Sequence, residues 1–143
     1  MALIVVAGGW YLLRGTPASA PAAPAEETQT VASTTTPAAG ATITYGPQGF
    51  SPASLTVPAG TTVTFVDQGA SRMWVASDPH PTHQAYDGTT KDQHCAAGYS
   101  GPVPFDQCSA GASYTFTFTK AGTWGYHNHG NAADKGTVVV TAN

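Results

Sequence analysis

Charge is what this sequence has least of: 5 Lys or Arg and 8 Asp or Glu among 143 residues, a formal net charge of -3. So few cations cannot neutralise a run of phosphates, which excludes nucleic acid as a partner. Cysteine is nearly as scarce, with only Cys95 and Cys108, far from any CxxC spacing. An even, isolated pair of this kind predicts a disulfide made outside the cytosol rather than a tetrahedral zinc site. There is no apolar run of about 20 residues, the length a membrane-spanning helix needs. The 16 Gly and 11 Pro, in a chain also rich in Thr and Ala, work against long helices and leave strands and loops. No Ser-His-Asp set or carboxylate pair is legible, since Asp67, Asp78, Asp87, Asp92, Asp106 and Asp134 read mostly as solvating loop residues.

What is present falls into three parts. Residues 1–14 contain the apolar run ALIVVAGGWYLL followed by Arg14, with no basic residue in front. The run reads as the C-terminal half of a membrane anchor, or as a signal remnant with Ala18-Ser19-Ala20 as a weak cleavage box. Residues 15–40 hold 20 Ala, Pro, Thr or Ser among 26, too little apolar surface to offset the entropy of ordering them, and read as a tether. Anchor, tether and folded domain together predict a protein displayed on the outer side of a membrane, in the periplasm or at the cell surface.

The folded domain is expected over residues 41–143. Apolar residues alternate in short runs: Ile43 and Tyr45, Leu55 and Val57, Val63 and Phe65, Tyr114, Phe116 and Phe118, Trp124 and Tyr126, Val138 and Val140. Trp74 is expected to face oppositely to Met73 and Val75. Period two is the strand signal, and Gly46-Pro47, Pro58-Ala59-Gly60, Ala110-Gly111 and Ala121-Gly122 punctuate it as turns. The pattern predicts an all-β, two-sheet sandwich of about seven strands. Asp78 to Gly111 breaks the alternation and carries four prolines and both cysteines. A Cys95–Cys108 bridge would close a loop of about 14 residues and contribute on the order of 3 kcal/mol on the chain-entropy model, so this long loop is expected to be ordered.

Histidine placement carries the chemistry. His80 and His83 lie three apart, with Pro79 and Pro81 flanking His80, and His127 and His129 lie two apart on a strand expected over Thr123 to Asn128. Residues i and i+2 of a strand share a face, about 7 Å apart along the backbone, so both imidazoles of the second pair can converge on one ion. Prolines beside His80 lower the entropy cost of presenting the first pair. Nitrogen-rich sites suit copper, zinc or nickel, with copper(II) favoured by intrinsic affinity. The predicted metal ligands are therefore His80, His83, His127 and His129, with His94 and Met73 as accessory candidates.

From Tyr45 to Thr141 the chain resembles the cupredoxins, the plastocyanin-like Greek-key sandwiches. FSPASLTVPAGTTVTFVDQ is similar to their second and third strands, and SYTFTFTKAGTWGYHNHGNAADKGTVVV to their last three. The resemblance implies where a type 1 copper would sit and shows its ligands replaced. The cysteine position falls on Asn128, the early histidine on Met73 and the late methionine on Asp134. Without a thiolate there is no blue chromophore. The His-x-His at 127 and 129 is similar instead to the GTxWYHSH strand of multicopper oxidases, where the pair binds copper on the face opposite the type 1 position.

Residues and resemblance together predict an extracytoplasmic, membrane-tethered copper protein (zinc being the other metal considered) with a non-blue histidine site. Its expected work is copper handling or electron transfer, alone, as a homo-oligomer or with a redox partner protein. The alternatives are a small copper oxidoreductase with a type 2-like site and a metal-free surface assembly or adhesion module.

Overall fold

The structure, a computed structural model, describes residues 40–69 and 72–143. The expected anchor over 1–14 and the tether over 15–40 lie outside the described residues, Gly40 excepted.

Alternating polar and apolar residues build two four-stranded sheets. The first has the order β2-β1-β4-β6, from β1 (Ala41–Gly46), β2 (Gly49–Ser51), β4 (Thr61–Asp67) and β6 (Ser113–Phe118). The second has the order β3-β8-β7-β5, from β3 (Ser54–Pro58), β5 (Val75–Ser77), β7 (Gly122–Asn128) and β8 (Asn131–Thr141). The described residues thus form eight strands where the alternation indicated about seven; the three-residue β2 is too short to show a period. Parallel pairs β1/β4 and β3/β8 accompany antiparallel β1/β2, β4/β6, β7/β8 and β5/β7. This is an all-β sandwich of cupredoxin type.

One residue in two points between the sheets. Ile43 and Tyr45 of β1, Val63 and Phe65 of β4, Phe116 and Phe118 of β6, Tyr126 of β7, and Val138 and Val140 of β8 are all buried there. Met73 and Val75 are fully buried while Trp74 between them is half-buried, as the alternation predicts. Gly136 faces Tyr126 across the β7/β8 pair, and a Cβ there would collide with the tyrosine ring.

The long loop is ordered by three devices. Phe105 enters the core, its ring 4.9 Å from Phe116 and 4.8 Å from Phe118. Around it, residues 105–107 run beside β5: Ser77 N–H donates to the Phe105 carbonyl and Gln107 N–H to that of Val75, both at 2.8 Å. A one-turn helix, α1 (Lys91–His94), begins in a capping box made by Thr90 and Gln93. Its end is tied by the Cys95–Cys108 disulfide, with Cα atoms 5.4 Å apart, as the isolated cysteine pair predicted.

Candidate functional site

The two faces of β7 have different surroundings. Tyr126 and Asn128 turn into the sandwich, so Gly125 and His127 point the other way. Across the sheet Ala76 pairs with His127 and makes an isolated bridge to Asp106. Gly125, His127, Ala76 and Asp106 therefore share the face turned away from the core. The long loop folds over that face and leaves His127 fully buried.

The loop brings His80 and His83 against His127 and His129. Ring centres lie 5.0 Å apart for His83 and His127, 5.3 Å for His80 and His127, 4.8 Å for His83 and His129, and 5.0 Å for His80 and His129. One nitrogen from each of the four falls within 4.8 Å of the others. β7 ends at Asn128, and its register with β8 shifts between His127 and Asn128, so His129 lies just past the strand. Its backbone is held by the Trp74 carbonyl at 2.8 Å and its ring by the Trp74 indole at 4.1 Å. The pair converges although strict strand geometry stops between its members.

Carboxylates fix two of the rings. His127 Nδ1 lies 2.9 Å from Asp78 Oδ1, and His83 Nδ1 lies 2.5 Å from Asp106 Oδ2. A carboxylate only accepts, so both Nδ1 atoms carry the proton and each Nε2 presents its lone pair. The His83 lone pair meets His129 Nδ1 at 2.9 Å. The His127 Nε2 lone pair is buried and meets nothing among the described residues. Leaving a buried acceptor unpaired costs about 1–3 kcal/mol, which marks this nitrogen as reserved for something absent from the polypeptide.

A metal ion fits that description. Neutral imidazole nitrogens are common ligands of zinc and copper, and the four rings here offer one each within 4.8 Å of one another. The carboxylate–imidazole pairs are the outer-shell arrangement that orients metal-ligating histidines.

Asp106 is the hub of the support. Its Oδ2 also takes His94 Nε2 at 3.0 Å, and its Oδ1 accepts Trp74 Nε1–H at 2.8 Å and Cys108 N–H at 2.7 Å. Burial works to raise this carboxyl, but the hydrogen bonds from His83, His94, Trp74 and Cys108 outweigh it and hold Asp106 well below the usual carboxylate range. His127 is lowered from the ordinary imidazole value, chiefly by burial and further by the neighbouring charges of His83 and His80, against the opposing bond to Asp78. His129 is lowered by burial, then by His83, His80 and Lys91. Both rings are therefore ready to bind a cation at neutral pH without first shedding a proton.

The accessory candidates stand apart from the four rings. His94 is buried on the far side of Asp106, its Nδ1 3.0 Å from Thr89 Oγ1. Its other grouping, with Cys95, Asp106 and Cys108, offers no thiolate because the cysteines are bonded to each other. Met73 belongs to the hydrophobic core. Of the positions matched to a type 1 centre, Asn128 Nδ2 donates to Tyr45 Oη at 2.8 Å and Tyr45 Oη donates to Asp134 Oδ2 at 2.6 Å. Asn128 Oδ1 accepts the Trp74 and Gly130 N–H groups at 3.0 and 3.3 Å. A structural hydrogen-bond network thus fills that end of the sandwich.

Sequence reasoning assigned Asp78 and Asp106 to solvated loops, whereas they hold the site. It also passed over Gly125, where a Cβ would stand 2.6 Å from Asp78 Oδ2. A glycine inside a strand often marks such a close approach, and that was the available signal.

No protein-family model and no curated protein matches the chain. Among solved structures it is similar to a Cu-containing nitrite reductase from Thermus scotoductus SA-01, at 24% identity and a TM-score of 0.51, over 72% of this chain and 22% of that one. The chain thus spans about a fifth of that protein's length. It is similar to a reduced amicyanin variant at 20% identity and a TM-score of 0.50, over 75% of this chain and 87% of that one. A purple cupredoxin from Nitrosopumilus maritimus aligns at 18% identity with a TM-score of 0.47, over 71% and 99% of the two chains. The likeness to the first two is one of fold, and the fold is that of the cupredoxins.

Proposed function

We propose that this chain is an extracytoplasmic copper-binding protein, tethered to a membrane through its N-terminal segment, whose metal sits in a non-blue site made by His80, His83, His127 and His129. Its role is copper handling or electron transfer at the cell surface. The observation that carries the reading is the buried, unpaired Nε2 of His127, aimed away from Asp78 into a space that three more imidazoles approach. The disulfide supports a compartment outside the cytosol. Copper(II), when bound, would supply one-electron chemistry. His83 and His127 would hold it through Nε2, oriented by Asp106 and Asp78, while the surrounding loop excludes water from both rings.

A second reading, a small copper oxidoreductase, has one observation in its favour. A cavity of about 500 Å³ lies against His129, lined also by Arg72, Trp74 and Ser109, and leaves room for a small ligand at the edge of the site.

Both readings are tested by titrating the purified chain with copper(II) and zinc(II), in wild type and in His127→Ala and His129→Ala variants. The copper reading expects one tight site per chain that each substitution weakens severely with the fold retained. Undiminished binding in both variants would remove it. Azide displacing a copper-bound water, seen by paramagnetic resonance, would favour the oxidoreductase.

A further inference from the structure

The four histidines are held unequally. His83 and His127 are fully buried and each is anchored to a carboxylate. His129 is half-buried, with its ring against Trp74 and its Nδ1 on His83. His80 is exposed, and neither of its ring nitrogens has a hydrogen-bond partner among the described residues. Its ring meets the other three only by proximity, at 5.0–6.0 Å between centres.

The backbone beneath His80 is not loose. Thr82 N–H and His83 N–H both donate to the Pro79 carbonyl, at 3.0 and 2.9 Å, and Ala85 N–H donates to that of Asp78 at 2.9 Å. Pro79 and Pro81 further restrict the main chain on either side. The imidazole of His80 is therefore free on a fixed platform, able to turn outward by side-chain rotation, while the other three rings cannot leave without breaking buried hydrogen bonds or aromatic packing. For exposed side chains such rotations take picoseconds to nanoseconds.

Building on the copper reading above, we infer that His80 is the exchange ligand: the one imidazole that detaches to let the ion pass between this site and an incoming donor group. In the step, the bond between His80 and copper(II) breaks, a carboxylate or imidazole of the incoming donor forms the replacement bond, and the freed ring nitrogen returns to water. The oxidation state does not change and no proton is required. His129 then lets go before His83 and His127, which are fully buried and anchored to carboxylates. Loading runs the same sequence in reverse, with His80 closing last.

The test is the rate at which EDTA strips copper(II) from the loaded protein, followed by stopped flow across a range of EDTA concentrations. In wild type the rate should level off at high EDTA, because breaking of the bond between His80 and copper(II), after which the ring turns outward freely, becomes limiting. In His80→Ala, where that step is gone, the rate should stay proportional to EDTA and at low EDTA exceed wild type by about tenfold or more, a barrier lowered by about 1.4 kcal/mol or more. Equilibrium affinity should fall less in His80→Ala than in His129→Ala, with both variants first shown to melt like wild type. A levelling rate equal to that of wild type in His80→Ala, or an affinity loss as large as that of His129→Ala, would overturn the inference. Wild type that takes up no copper(II) in equilibrium dialysis would instead remove the reading on which it rests, before any exchange rate is measured.

Discussion

Replacing Asp106 by asparagine keeps the volume and removes the charge. Four donors now converge on the carboxylate: His83 Nδ1, His94 Nε2, Trp74 Nε1 and the Cys108 amide. An amide has one acceptor oxygen and an NH2 that only donates, so either orientation sets that NH2 against two N–H groups that have lost their acceptor. A buried donor left unpaired costs about 1–3 kcal/mol, so the pair amounts to roughly 2–6 kcal/mol. At about 4–8 °C per kcal/mol for a domain of this size, melting should fall by at least about 8 °C. His83 can recover part of this by moving its proton to Nε2 and accepting from the amide, but Nε2 is then blocked as a ligand, and copper affinity should drop about 10–100-fold. The substitution must therefore show in melting, in affinity, or in both. Thermal melts and copper(II) titrations at pH 7.5 measure the two together. The pH profile is a further check. Asp106 is lowered in the folded chain, so its stabilisation is complete above the unfolded value of about 3.9 and is lost as pH falls through the lower folded value. The asparagine variant should lack that part of the acid limb. A variant that melts within about 3 °C of wild type and binds copper as tightly would refute the argument.

Gly125→Ala should push Asp78 off His127 and weaken metal binding more than it lowers melting, because the clash involves the carboxylate rather than the core; equal affinity in titration would count against Asp78 as the orienting group. Since His127 and His129 are both lowered, protons should compete with the ion at these two rings below the ordinary imidazole value of about 6.5, and copper affinity should weaken as pH falls further; affinity undiminished at about pH 4 would contradict their assignment as ligands. The copper(II) form should be nearly colourless with a wide hyperfine splitting, because Asn128 stands where a thiolate would be; an intense visible charge-transfer band would overturn that assignment. Titration under denaturing conditions should find no free thiol, and Cys108→Ser should cost about 3 kcal/mol in urea unfolding.

The inward alternation of Val63 and Phe65 or of Val138 and Val140 is a local property of the chain, so the sandwich could be read before any contact was known. Both histidine pairs were legible for the same reason: each is close in sequence, and chelation needs only short-range geometry. Asp78 and Asp106 were not, because their meaning depends on where the loop lands. Asp106 acquires its partners only when residues 105–107 lie along β5 and α1 is drawn in beside Cys108, and no periodicity announces such an event. Phe105 is similar. It sits among prolines in a stretch without alternation, yet it plugs the core and positions Asp106 next to it. The unequal anchoring of the four imidazoles follows from those same contacts and is invisible in the spacing of the histidines.

Strand β7 can be read as two interleaved texts. Its even-numbered residues Tyr126 and Asn128 are addressed to the interior, and its odd-numbered residues Gly125 and His127, with His129 just beyond, to the histidine cluster. Point substitutions can edit one text without touching the other, so ligands can be exchanged on a scaffold that keeps its core. Insertions and deletions cannot. Losing or gaining one residue upstream of Gly125 would transpose the two, sending an imidazole into the aromatic interior and a tyrosine into the site. Lineages carrying this strand should therefore vary freely in the identity of their odd positions and hardly at all in its length.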